Sequence, residues 1–258
     1  MNGDPAAEAG MARVSRRTRD AGLAARIRWR LRVPLGRRFW GIVLKLLMLL
    51  LIRLQVHNRQ RLPPHGAGIV YYNHIHWLDP VLFCGSCRRY AVPLAKIESR
   101  SWPLVGKLLQ WYHVIFISRG VVDRDALKAA WQVLRDGDIA VISPEGTRSL
   151  DGRLQPAKEG LAFIVKQVPG VWLMPCAVTG TPQFSWNIRR VSRRPRISLT
   201  YGQPFRFRWP DGKVDRDILR QMTDEAMVQL ASYLPPEMRG GYADADPSQH
   251  QWLEFLED

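Results

Sequence analysis

Long apolar runs, cysteines and acidic side chains are all scarce in this chain, and each shortage excludes something. The longest apolar stretch, FWGIVLKLLMLLLI at residues 39–52, is interrupted by Lys45 and falls short of the about 20 residues a helix needs to cross a bilayer. Cysteines number three in 258 residues, an odd count that argues against a secreted disulfide framework and suits a reducing, cytosolic face. A chain of this length buries roughly 70–75% of its unfolded surface, so no disulfide or metal is needed to hold a core. CGSC (Cys84–Cys87) has CxxC spacing. No second CxxC accompanies it, and it falls at the end of a short helix instead of at a helix start after a strand, so it reads as small buried or half-buried residues. No GxSxG elbow occurs, which removes the nucleophilic serine of the α/β-hydrolase pattern.

The shortage of acids leaves 23 Asp and Glu against 38 Lys and Arg, a net charge of +15. Most of the excess lies near the start: residues 1–61 hold 14 Lys and Arg against Asp4, Glu8 and Asp20. Such an arm binds nucleic acid or an anionic membrane, or simply stays solvated. The apolar stretch at 39–52 favours the membrane. On a helix, Arg38, Lys45 and Arg53 fall roughly along one side, leaving the other faces apolar with Trp40 near one end. That is the pattern of a monotopic helix lying in the interface with its basic side chains reaching headgroups. A buried core helix is the bland alternative; a cleaved signal peptide fits less well, because over 30 residues precede the run and no small-residue cleavage site follows.

Residues 1–20 are small, polar and charged and are expected to form a disordered arm. Residues 21–61 read as a basic, membrane-associated helical segment. LPPHGAG (62–68) then breaks the pattern and opens a catalytic domain over 62–235, followed by a polar tail over 236–258. Within the domain, GIVYY (68–72), YAVPLA (90–95), HVIFIS (113–118), DIAVIS (138–143), VWLMPCAV (171–178) and RISLTYG (196–202) have the length and composition of strands. Helical spacing marks 122–137, 158–168 and about 214–233. The alternation predicts an α/β fold with a mostly parallel sheet flanked by helices.

Three polar clusters sit where strands end, which is where α/β sheets bind ligands. In NHIHWLD (73–79), His74 and Asp79 lie five apart and share no face of a continuous helix. A bend is supplied if Asp79 caps a helix that begins at Pro80; His74, on the preceding loop, can then meet the carboxylate across the corner. Packing and capping alone remain an equal alternative. His76 at the same offset meets Val81. Metal binding by His74, His76 and Asp79 lacks a fourth ligand at zinc spacing. In SPEGTRS (143–149), Arg148 offers bidentate donors to a phosphate, Thr147 and the loop N–H groups add more, and Glu145 could hold Arg148 or a substrate hydroxyl. Arg119 and Lys96 add cations at two further strand ends.

Together these blocks resemble the lysophosphatidic acid acyltransferases (1-acyl-sn-glycerol-3-phosphate acyltransferases) over about residues 35–205. NHIHWLD matches the NHx4D block, VIFISRG the block ending in Arg119, SPEGTRS the usual FPEGTRS, and VPGVWLMPCAVTGT the apolar block with Pro175; Lys96 and Lys158 also fall where the family carries basic residues. The resemblance implies an α/β catalytic domain with an N-terminal membrane element on the cytoplasmic face. It also implies acyl transfer from acyl-CoA or acyl carrier protein to the sn-2 hydroxyl of lysophosphatidic acid, giving phosphatidic acid, with no cofactor, metal or nucleic acid. It makes His74 the base and Asp79 its orienting acid. Arg119, Glu145, Gly146, Thr147 and Arg148 become the phosphate and glycerol contacts, with Lys96 a candidate oxyanion or phosphate cation. His76 departs from the common Ser or Thr, and Ser143 from the common Phe. The alternatives are the same chemistry on another lysophospholipid or an aminolipid, or a non-catalytic lipid-binding protein.

Overall fold

The structure, a computed structural model, describes Ile42, Leu46, residues 50–118, Gly120 and residues 123–158, 160–184 and 194–257. The arm at 1–20 and most of the basic segment at 21–61 lie outside the described residues, as does Arg119.

The framework is one sheet. Its strands are β1 (Arg53–His57), β2 (Gly68–Tyr72), β3 (Ala91–Lys96), β4 (Ile115–Ile117), β5 (Ile139–Ile142), β6 (Trp172–Thr179), β7 (Arg196–Tyr201), β8 (Phe205–Phe207) and β9 (Leu253–Phe255). The seven that form the main path run in the order β1-β7-β6-β2-β5-β3-β4, so β2 is central; β8 and β9 extend from β6. Contacts β2·β5, β2·β6, β3·β5 and β3·β4 are parallel, whereas β7 runs antiparallel to β6 and parallel to β1. The α/β, mostly parallel architecture is therefore present.

Helices α1 (Asp79–Ser86), α2 (Val105–Trp111), α3 (Arg124–Arg135), α4 (Gly160–Lys166) and α5 (Arg216–Ser232) connect and cover the strands. β2 shows why its sequence is continuously apolar. Ile69 and Tyr71 join the core under α3, α4 and α5, while Val70 and Tyr72 join a second core with Leu82 and Phe83 of α1. A strand covered on both faces needs apolar residues at every position. All five residues of β2 are accordingly buried.

Two expectations require correction. The basic segment does not stay helical to residue 61: Ile42, Leu46, Leu50 and Leu51 are helical, but Arg53 opens β1, paired in register with Arg196 of β7. Arg53 is thus on a strand, not on a helix. β1 is an edge strand, half-exposed and alternating, so its five residues carry no long apolar signature. The C-terminal stretch is likewise more than a polar tail. Glu225 of α5 accepts hydrogen bonds from the N–H groups of Gln251 (2.9 Å) and Trp252 (2.8 Å), and Leu253 is buried as β9 pairs with β8. Cys84 is half-buried and Cys87 and Cys176 are buried, all as free thiols.

Candidate active site

Because β2, β3, β5 and β6 are parallel, the segments that follow them emerge along one rim of the sheet. β2 ends at Tyr72, and Asn73 extends its pairing with β6 through the side chain. Nδ2 donates to the Val178 carbonyl (2.9 Å), and Oδ1 accepts from the Val178 N–H (2.7 Å). That fixes the direction in which the chain leaves the strand and so where His74 falls.

His74 Nδ1 lies 2.9 Å from Asp79 Oδ2. The same oxygen accepts from the N–H groups of Ile75 (2.8 Å) and His76 (2.7 Å), while Oδ1 accepts from the Thr181 hydroxyl (2.7 Å). Asp79 is fully buried and His74 nearly so. A buried carboxylate is tolerable only with its lone pairs filled, and here the donors are the loop that carries His74 and the turn after β6. With Nδ1–H directed at Asp79, Nε2 is the ring nitrogen left to take a proton.

The capping expectation is corrected in this geometry. Helix α1 starts at Asp79 itself, with Leu78 in the cap position and no side-chain cap. The carboxylate folds back onto residues 74–76 instead of reaching forward to the helix N–H groups. His76 finds an explanation: its backbone N–H goes to Asp79, its Nδ1 accepts from the Leu78 N–H (3.4 Å), and its ring packs against Trp77 and Phe184. Burial lowers its pKa, against the pull of Asp79.

The SPEGTRS loop sits beside the pair. Glu145 is buried, and its two oxygens accept from the backbone N–H groups of His74 (2.7 Å) and Gln155 (2.9 Å). Both are therefore occupied by main chain, not by Arg148. The Ser149 N–H returns a bond to the His74 carbonyl (2.7 Å), so the two loops are laced together. Gly146 has φ +69°, and a side chain there would also press on the Lys158 stem at 3.0 Å; the turn needs glycine. Thr147 and Arg148 are exposed, free to meet a ligand. Lys96 places its ammonium 4.9 Å from the Trp102 ring centroid. Among the described residues no three His, Cys, Asp or Glu side chains group as metal ligands.

Burial pushes the Glu145 carboxyl up to about 7 from 4.5, against the pull of its two N–H donors. A folded-state pKa above the unfolded one favours folding at low pH, so this contribution is lost as pH rises from about 4.5 to about 7, an effect on the order of 3 kcal/mol. Glu145→Gln cannot accept both N–H groups and is expected to be less stable by about 1–3 kcal/mol at pH 5. Its deficit should shrink towards pH 7. Urea unfolding at several pH values measures this; a deficit that grows with pH would contradict it.

Thr181 and Asn73 hold this geometry together, and only their partners, Asp79 and the β6 backbone, reveal it.

A family model described as acyltransferase matches residues 53–179. Over those residues the chain is similar to the acyltransferase family. The matched range begins at β1 and ends with β6, so it spans every strand that delivers a site residue to the rim. The chain is 28% identical over 202 residues to a 1-acyl-sn-glycerol-3-phosphate acyltransferase of Chlamydomonas reinhardtii, covering 76% of this chain and 58% of that one. It is 30% identical over 167 residues to one of Limnanthes douglasii, covering 63% and 56%. The chain thus spans under two thirds of the length of these two relatives. A Bacillus subtilis 1-acyl-sn-glycerol-3-phosphate acyltransferase is 24% identical over 168 residues, covering 65% of this chain and 81% of that one. The crystal structure of the 1-acyl-sn-glycerophosphate acyltransferase of Thermotoga maritima superposes with a TM-score of 0.56 at 24% identity, over 80% of this chain and 84% of that one; the acyltransferase fold is shared.

Proposed function

We propose that this acyltransferase moves a fatty acyl chain from acyl-CoA or acyl carrier protein to the sn-2 hydroxyl of 1-acylglycerol-3-phosphate, giving phosphatidic acid. The observation that carries the proposal is the buried Asp79 holding His74 by Nδ1 at the rim, with the Arg148 loop laced to the same backbone.

The acceptor hydroxyl oxygen attacks the thioester carbonyl carbon while its proton passes to His74 Nε2. The tetrahedral intermediate collapses with cleavage of the C–S bond, and the departing thiolate takes the proton back from the imidazolium. An imidazole with a reference pKa of about 6.5 suits both transfers near neutral pH. Asp79 fixes the tautomer and stabilises the imidazolium. With no serine elbow in the sequence, transfer proceeds directly in a ternary complex, without an acyl-enzyme. Arg148, with Thr147 and Arg119, supplies donors to the acceptor phosphate. The protein works at an anionic membrane surface, where this substrate resides.

The test assays purified full-length protein against lysophosphatidate, other lysophospholipids and an uncharged monoacylglycerol, each with both thioester donors. Lysophosphatidate should be preferred, and Arg148→Ala should raise its KM about tenfold, since a charge-assisted contact is worth roughly 1.5–3 kcal/mol. Equal rates on the uncharged acceptor would sink the phosphate assignment. Preference for another lysophospholipid or an aminolipid would move the reaction to that acceptor.

A further inference from the structure

One exposed region stands apart from the catalytic machinery. From Lys96 to the end of helix α2, large apolar side chains face outward: Ile97, Trp102, Leu104, Val105, Leu108 and Trp111, with Leu104 83% and Trp111 56% exposed. They occupy a built surface. An added side chain at Gly106 would collide with the Arg100 carbonyl at 2.2 Å, so the bare glycine lets α2 lie directly on the turn at 97–101. An apolar patch of this size on a folded surface marks an interaction site.

Its position follows from the topology. The segment begins at Lys96, where β3 reaches the rim that also bears His74. Ile42, Leu46 and Leu50 are helical and lie shortly before Arg53. β1 runs with β7 and against β6, so Arg53 and Arg196 start at that same rim. Ile42, Leu46 and Leu50 repeat every four residues and are 59%, 56% and 71% exposed, forming one stripe. Thus apolar side chains project at both ends of the seven-strand path, and central β2 delivers the reactive pair between them. At about 4.8 Å per strand, the two apolar features lie roughly 30 Å apart.

We infer that Ile97–Trp111 is a second membrane-insertion surface, which works with the exposed Ile42, Leu46 and Leu50 to lay the catalytic rim on an anionic lipid bilayer. Charge complementarity identifies the occupant. Within 96–111 the patch interleaves Lys96, Arg100 and Lys107 with its apolar side chains against a single acid, Glu98. Trp102 and Trp111 flank it, and tryptophan is the residue that settles at headgroup depth. Lys96 already stacks on Trp102, holding a cation where phosphates would lie. Two-point docking brings His74 to headgroup level, where a lysophospholipid presents its hydroxyl; this last step rests on the proposed reaction, whereas the docking itself does not.

The test uses the full chain and sedimentation with phosphatidylcholine vesicles, with and without phosphatidylglycerol. L104D/L108D should bind phosphatidylglycerol vesicles about tenfold more weakly, and K107E about fivefold more weakly with only a slight effect on neutral vesicles. Circular dichroism establishes that each variant is folded. Brominated lipids should quench the wild-type tryptophan fluorescence, and W102F/W111F should lower the quenched share. Wild-type partitioning of L104D/L108D, or an unchanged quenched share, overturns the inference. Turnover separates the two readings. L104D/L108D should lose about tenfold on a vesicle-borne acceptor and nothing on a short-chain, monomeric one. A wild-type chain that binds vesicles but acylates neither acceptor defeats the reaction alone.

Discussion

His74→Ala is expected to lower kcat by about 10³-fold or more, with KM for both substrates nearly unchanged. The proton of the acceptor hydroxyl then has no base within the site, because the neighbouring imidazole of His76 is turned into the Trp77 and Phe184 rings. Glu145 holds the backbone N–H groups of His74 and Gln155. The variant should remain folded. Asp79 keeps three of its donors, Ile75, His76 and Thr181, so no buried charge is left bare, and a loss of under about 2 kcal/mol is expected. Steady-state kinetics together with urea unfolding separates these quantities. Retention of full activity would remove His74 from the chemistry.

Asp79→Asn combines a catalytic and a structural effect. The carboxylate accepts four hydrogen bonds at the junction of the β2 loop, helix α1 and the turn after β6. An asparagine oxygen can take the position of Oδ2, but its NH2 then faces the Thr181 hydroxyl, which must swivel to accept. The negative charge that stabilises the imidazolium is lost in either orientation. kcat should fall by about 10³–10⁴-fold, the scale of the corresponding change in a serine protease triad. Stability should fall by about 2–3 kcal/mol, because hydrogen bonds to a charged group are the stronger kind. Stopped-flow turnover and denaturant unfolding on the same preparation check both. A variant with normal kcat and reduced stability would leave Asp79 a purely structural residue.

These two residues also show what could be read from the chain. Which imidazole bonds Asp79 was visible in the spacing: His74 has an acid five residues on, and His76 has Val81. Strands β2, β5 and β6 were visible because buried strands must be apolar at nearly every position, as their burial shows, and β7 because its apolar and polar residues alternate. β1 was not. Its partner, β7, begins at Arg196, more than 140 residues away, and an edge strand half in water has no obligatory apolar pattern. β9 escaped for the same reason: three residues, with only Leu253 of them buried.

The sequence by itself determined the strand and helix alternation, the basic N-terminal quarter, and the chemistry available at the strand ends. Local composition and spacing encode those directly. Only the tertiary structure decided that Asp79 grips its own loop instead of capping α1. Only it showed Glu145 tying that loop to SPEGTRS, and Thr181 completing the carboxylate's partners from 102 residues away. It also set two apolar surfaces on either side of the reactive pair. Hydrogen-bond direction and shared rims depend on which strands lie side by side, and strand order arises from packing between segments that no local pattern joins.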